Sequence, residues 1–182
     1  GSTRSWGHSL SNAFGSGFVA PGTGVMFNNR AGRGFRLEPD HPNIVAPGKR
    51  TMHTLNCYLT TKDGQPAIVG GTPGGDFQPQ SGLQILTNLI DYGMDPQEAV
   101  EAPRRWSFPG TDPESLDTPM ELRVETGMPE AVIRGLEKLG HKIARRRPGI
   151  HDGKVQLILL DRERGILKGA SDPRGDGHAA AW

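Results

Sequence analysis

The chain has 182 residues, an apolar fraction of 34% and a formal net charge of +1, with 26 glycines and 15 prolines. That length buries a core of one domain's size, and the glycine and proline content suits short elements joined by ordered turns better than a helical bundle. The near-neutral balance excludes a global field for nucleic acid or an anionic membrane, and the single cysteine, Cys57, excludes an internal disulfide and a cysteine-based zinc site.

No apolar run approaches the roughly 18 residues of a membrane span. Residues 1–9 are polar with weak alternation, and 10–18, with glycines around Phe14, predict a strand end that bends over a cavity. A turn at 21–24 and a short strand at 25–27 deliver Asn28 and Asn29, and 30–47 reads as loop, punctuated by Pro39, Pro42 and Pro47. A strand follows over 55–61, in which Cys57 reads as a small packed hydrophobe. Asp63-Gly64 is a tight hairpin turn into the next strand.

The following stretch, residues 67–76, organises the rest. Ala67-Ile68-Val69 is an apolar run bounded by glycines, a buried strand. Pro73 has a fixed φ and no donor, while Gly74 and Gly75 reach backbone angles closed to other residues. A helical pattern begins within a few residues, so two N–H groups leave the turn near a helix N-terminus. That suits an anion, or the oxyanion that forms when an amide carbonyl is attacked. Taken alone, the stretch also reads as a glycine-rich connection needed for close packing.

Helices follow. Residues 80–92 carry Leu83, Leu86, Leu89 and Ile90 and end at Gly93. Asp95, Pro96 and Glu98 open a short helix that stops before Pro103. Residues 106–119 form a proline-rich excursion, 122–124 a strand, and 129–139 a helix with Val132, Leu136 and Leu139 on one face. Strands at 141–144, 155–160 and 166–168 close the chain, and the arginine run 145–147 reads as a solvated loop end. Strands, then helices, then strands again predict an α+β fold with helices on antiparallel sheet. His8, His41, His151 and His178 lack metal-ligand spacing, so no metal or other cofactor is expected.

The punctuation is specific as an ordered set: Phe-Gly-Ser-Gly at 14–17, Pro-Gly-Thr-Gly at 21–24, Asn28-Asn29, Pro-Gly-Lys-Arg at 47–50 and Gly-Gly-Thr-Pro-Gly-Gly at 70–75. It continues with Leu83-Gln84, Asn88, Asp91-Tyr92-Gly93, Glu-Ala-Val-Glu-Ala-Pro-Arg at 98–104, Gly140-His141 and Gly-Ala-Ser-Asp-Pro-Arg at 169–174. The chain thereby resembles, from about Leu10 to Arg174, the small subunit of the γ-glutamyltransferase family. The resemblance implies an N-terminal-nucleophile hydrolase fold, an αββα sandwich of stacked antiparallel sheets. In it, residues 1–182 form a single small-subunit-like domain without its first strand. Family members are made as one precursor that cleaves itself. The new N-terminal threonine is nucleophile, and its own amine is the base, because a hydroxyl attacks well only when a neighbouring base takes its proton.

Gly74 and Gly75 match the pair whose N–H groups form the family's oxyanion hole. In the family that threonine opens the small subunit about ten residues upstream of the segment matched here, so the resemblance places the nucleophile outside these residues: either the sequence is a truncated piece or the chain is a non-catalytic remnant. Thr3 does not replace it, since in this register Thr3 is inside the second strand. Ser9 matches a hydroxyl that supports the nucleophile. Ser11, Arg30, and either Arg33 or Gly34 stand where the transferases use Asn, Gln and Asp to hold the donor's ammonium, with Asn29 beside them. His53 and Thr54 replace the serine pair that helps hold its carboxylate. Asp172 with Arg174 reads as an internal ion pair, and His141 as a turn residue.

The implied function is an amidohydrolase or acylase that acts with the large subunit of the same precursor on a small-molecule amide with a carboxylate-bearing acyl group. The alternatives are a true γ-glutamyl transferase or glutathione hydrolase, and a catalytically inactive structural subunit of the same fold.

Overall fold

The structure, a computed structural model, describes residues 7–110, 117–149 and 153–180. Within these the chain divides into two compact units, one up to Leu55 and one from Asn56 onward. No helix among the described residues is long and apolar enough to cross a membrane.

The larger unit is built on a four-stranded antiparallel sheet. Strands β1 (Cys57–Lys62) and β2 (Gln65–Gly71) form the expected hairpin, with Lys62 opposite Gln65. Asp63 and Gly64, at φ 51° and 73°, supply the two left-handed residues that such a turn requires. The register slips between Thr60 and Thr61, opposite Pro66, which has no N–H for the ladder. Strands β6 (Gln156–Asp161) and β7 (Ile166–Ser171) complete the order β1-β2-β6-β7.

Helices α2 (Phe77–Ile90) and α3 (Pro96–Glu101) cover one face of this sheet. Ile68, Leu157 and Ala170 from the strands meet Ile85 and Leu89 of α2 and Ala99 and Val100 of α3. Helix α2 starts three residues earlier than its leucine pattern suggests. Its buried side is Phe77, Gln78, Ser81, Gly82, Ile85 and Leu89, while Leu83 and Ile90 are exposed. Gly82 on that face leaves room for the Tyr58 ring, which lies between Gly70 of β2 and Gly82 of α2. Burial pushes the Tyr58 hydroxyl up to about 12, against the opposing pull of Arg104.

The second sheet, in the order β3-β4-β5, departs from the antiparallel expectation in one pair. Strand β3 (Arg105–Phe108) lies antiparallel to β4 (Glu121–Glu125), but β4 runs parallel to β5 (Ile143–Arg146). The connection between them carries α4 (Glu130–Lys138), the crossover element that parallel neighbours need. In α4 the buried residue is Ile133, while Val132 and Leu139, the residue after the helix, are exposed. The arginine run is largely strand rather than loop end. Arg145 pairs with Glu130 and Arg146 with Glu121.

Asp172 and Arg174 do pair, at 3.0 Å, but inside a larger buried network. Arg104 bonds Asp172 and the Val100 carbonyl, and Arg174 bonds Glu125, Asp172 and the Val100 carbonyl. This holds the C-terminal segment against α3 and β4.

The N-terminal unit is mostly turn. Residues 10–18 form no strand, and 25–27 contribute only a bridge between Val19 and Met26, with the Phe18 and Phe27 rings 5.6 Å apart. Gly15, Gly17, Gly22 and Gly24 all have positive φ, which bends the backbone too often for a ladder. Where a loop was expected, α1 (Arg30–Gly34) forms a single turn, and Arg36 bridges Ile44. Thr3, expected inside a strand, lies outside the described residues.

Candidate functional site

Strand β2 ends at Gly71, and Thr72, Pro73, Gly74, Gly75 and Asp76 turn the chain into α2. Gly74 has φ 132° and Gly75 φ 54°, both in space that other residues enter only with strain. The Gly74 carbonyl accepts the Phe77 N–H at 2.9 Å, and the Gly75 carbonyl accepts that of Gln78 at 3.1 Å. Among the described residues no hydrogen bond uses the N–H of Gly74 or Gly75, and both glycines are exposed. Two N–H groups with no internal acceptor among the described residues thus stand at the positive end of a 14-residue helix dipole. Phe77 anchors the turn from below, edge-on to Trp106 at 5.2 Å between ring centres.

In the N-terminal unit, three of the sequence-expected residues meet at one guanidinium. The Arg30 side chain donates to the Ser11 hydroxyl at 2.9 Å and to the Thr54 hydroxyl at 3.1 Å. Among the described residues Arg30 forms no ion pair with a carboxylate. Ser11 sits at φ 74°, a left-handed conformation helped by its N–H bond to the Ser9 hydroxyl at 3.0 Å. Asn28 orients the start of α1, its side-chain oxygen accepting the Arg30 N–H at 2.9 Å.

Arg33 and Gly34 take different places. Gly34 is buried, and a Cβ there would collide with the Thr51 hydroxyl, so its place is one of packing. Arg33 reaches Asn12, at 2.7 Å. Asn12 was missed in the sequence; its N–H also donates to the Asn29 side chain at 3.1 Å, joining Asn29 and Arg33 through one residue. His53 is exposed and accepts the Leu55 N–H on Nδ1 at 3.2 Å, apart from the Arg30 group. Cys57, expected to be packed, is exposed at the start of the edge strand β1.

Thr72 takes no role from the sequence, although it lies within the Gly-Gly-Thr-Pro-Gly-Gly stretch. Its hydroxyl donates to the Pro73 carbonyl at 2.8 Å and accepts the Lys154 N–H at 2.8 Å.

A family model described as gamma-glutamyltranspeptidase matches residues 1–182. The chain is 40% identical over 182 residues to the glutathione hydrolase-like YwrD proenzyme of Bacillus subtilis (strain 168), covering 98% of this chain and 33% of that protein. It is 35% identical to the oxamate amidohydrolase proenzyme of Klebsiella pneumoniae subsp. pneumoniae, covering 96% of this chain and 32% of that protein. Among solved structures it is similar to a cephalosporin acylase from Bacillus halodurans, with TM-score 0.82 and 39% identity over 96% of this chain and 31% of that one. The chain spans about a third of the length of the relatives it matches.

Proposed function

The chain belongs to the gamma-glutamyltranspeptidase family, and from that premise we propose that it forms part of an amidohydrolase or acylase that takes a carboxylate-bearing acyl group from an amide. In this reading a threonine hydroxyl, deprotonated by its own amine, adds to the amide carbonyl. Gly74 and Gly75 N–H groups hold the resulting oxyanion, the α-ammonium passes its proton to the substrate nitrogen as the C–N bond breaks and the amine leaves, and water then attacks the ester and releases the acid with the threonine hydroxyl restored. Ser9 supports the nucleophile through its hydroxyl proton. The large subunit of the same precursor supplies the rest of the pocket.

The observation that carries the acyl preference is the Arg30 guanidinium, held by two neutral hydroxyls at 2.9 and 3.1 Å. A γ-glutamyl donor brings an ammonium, which a nearby guanidinium repels. A carboxylate without an α-amine gains a charge-assisted, often bidentate bond instead. Thr54 belongs to the Arg30 group, and Asn29 and Arg33, joined through Asn12, are further polar candidates for the acyl group. Oxamate, the compound named for one relative, also carries a carboxylate and no ammonium.

The test is kcat/KM for glutaryl and γ-glutamyl p-nitroanilides on the complete processed enzyme. Glutaryl should be preferred, and Arg30→Ala should erase about 1.5–3 kcal/mol of that preference, the worth of a hydrogen bond to a charged group. A γ-glutamyl preference that survives Arg30→Ala and Arg33→Ala would instead support a true γ-glutamyl transferase. No turnover of either would support an inactive structural subunit.

A further inference from the structure

We propose that Thr72 is a positioning residue that aims the Gly74 N–H at the reacting carbonyl; the proposal rests on the oxyanion role given above to Gly74 and Gly75.

The Pro73 carbonyl and the Gly74 N–H belong to one planar trans peptide, so they point in opposite directions and turn together. Whatever holds the carbonyl aims the N–H. The Thr72 hydroxyl donates to that carbonyl at 2.8 Å. It is itself held, because it accepts the Lys154 N–H at 2.8 Å. The next peptide plane is set differently. The Gly74 carbonyl accepts the Phe77 N–H at 2.9 Å, so the first turn of α2 aims the Gly75 N–H. One donor is therefore oriented by the helix, and the other by a single hydroxyl.

Little else opposes rotation of the Pro73–Gly74 plane. Proline fixes φ but leaves ψ open, and glycine leaves φ open, so both torsions that flip this peptide are soft. Gly153 shows how closely the hydroxyl is embraced. At φ 81° its Cα packs so near that a Cβ would lie 2.7 Å from the Thr72 Oγ1 and 2.9 Å from the Phe77 ring. That approach brings the following N–H, of Lys154, onto Thr72. Thr72, Gly153 and Phe77 form one clamp under the turn, and its polar member touches the peptide whose N–H has no acceptor among the described residues.

The experiment uses the complete processed enzyme with glutaryl p-nitroanilide, rates being expressed per processed active site. Three changes are compared: Thr72→Val, which keeps the shape and removes the hydroxyl; Thr72→Ser, which keeps the hydroxyl; and replacement of Gly74 by glycolic acid, which turns its N–H into an ester oxygen. Loss of a full oxyanion donor costs about a hundredfold or more in kcat, and misaiming one should cost about tenfold to a hundredfold. Thr72→Val should fall in that range with KM nearly unchanged, Thr72→Ser should match the parent, and the ester should fall at least as far as Thr72→Val.

A loss with the ester but none with Thr72→Val overturns the positioning role and leaves the oxyanion reading standing. No loss with the ester overturns the oxyanion reading, and the Thr72 proposal with it. Where Thr72→Val fails to fold or process, a large kcat loss in a folded Thr72→Ser protein still overturns the proposal, since that variant retains the bond.

Discussion

Arg104 and Asp172 carry their charges on side chains only 2% and 0% exposed, and Arg174 and Glu125 do so at 5% and 0%. Burial alone would raise the Asp172 carboxyl. The Arg104 guanidinium, with the N–H groups of Arg174 and Val155, outweighs that and holds it below the ordinary value. Burial pulls Arg104 down, against the pull of Asp172. Removing one partner leaves the other as an uncompensated buried charge. Asp172→Ala should therefore cost about 3–5 kcal/mol, read by urea unfolding of the assembled protein. The pH dependence has a definite sign. An unfolded aspartate titrates near about 3.9. With the folded value lower, Asp172 contributes fully above about pH 4 and loses that contribution as pH falls through its folded value. Asp172→Asn, weaker at neutral pH, should lose less on acidification; an unchanged acid-side slope would contradict this.

At the scale of elements, glutamine side chains join helices to strand edges. Gln84 of α2 accepts the Arg105 N–H at 3.0 Å and donates to the Arg105 carbonyl at 2.8 Å, while Gln80, one turn earlier, accepts the Ser107 N–H at 2.8 Å. Residues four apart on a helix face thus satisfy residues two apart on β3, the period of one strand face. Gln97 of α3 makes the same two-bond clamp on Ser171 at the edge of β7. These bonds occupy strand edges that would otherwise recruit another chain. Gln84→Ala should lower stability by about 1 kcal/mol. It should also speed amide exchange at Arg105 more than at Val124. Equal exchange at Arg105 in both proteins would show that the clamp holds nothing.

At the scale of the whole molecule, the α+β fold is that of the family's N-terminal-nucleophile hydrolases. In the larger unit, Tyr58, Gly70, Leu157 and Ala170 form one cross-strand row, on the face that carries α2 and α3. The alternate row runs through Leu59, Val69, Ile158 and Gly169 on the other face, where Leu59 and Ile158 are 44% and 45% exposed. Leu167, with the same facing, is 70% exposed. Apolar side chains grouped on a sheet face mark a surface that another layer covers. On the proposed reading that layer comes with the large subunit. Ile158→Lys should leave exchange protection on the helix-covered face intact while reducing co-purification of the two subunits. Normal assembly of the Ile158→Lys variant would move the contact elsewhere.

The family, the α+β class and the place of most elements were legible along the chain because they rest on local chemistry. Asp63-Gly64 needs its neighbours only for its hairpin, Asp95-Pro96 caps its own helix, and the ordered glycines report backbone angles that no other residue takes readily. What the chain could not disclose depends on what stands opposite. The leucine pattern in α2 was half right: Leu89 is buried and Leu86 packs against the core, whereas Leu83 and Ile90 face solvent and Gly82 faces the Tyr58 ring on β1, an element earlier in the chain. The parallel β4–β5 pair, the Arg104 and Glu125 members of the buried network, and the Arg30 link to Ser11 and Thr54 likewise join residues remote in sequence. Thr72 shows the division within a single motif. Composition marked the turn as special, but the bond from Lys154 that holds its hydroxyl exists only because two distant segments meet. Local torsional preference is written residue by residue, whereas the direction in which a donor points is decided by tertiary contact.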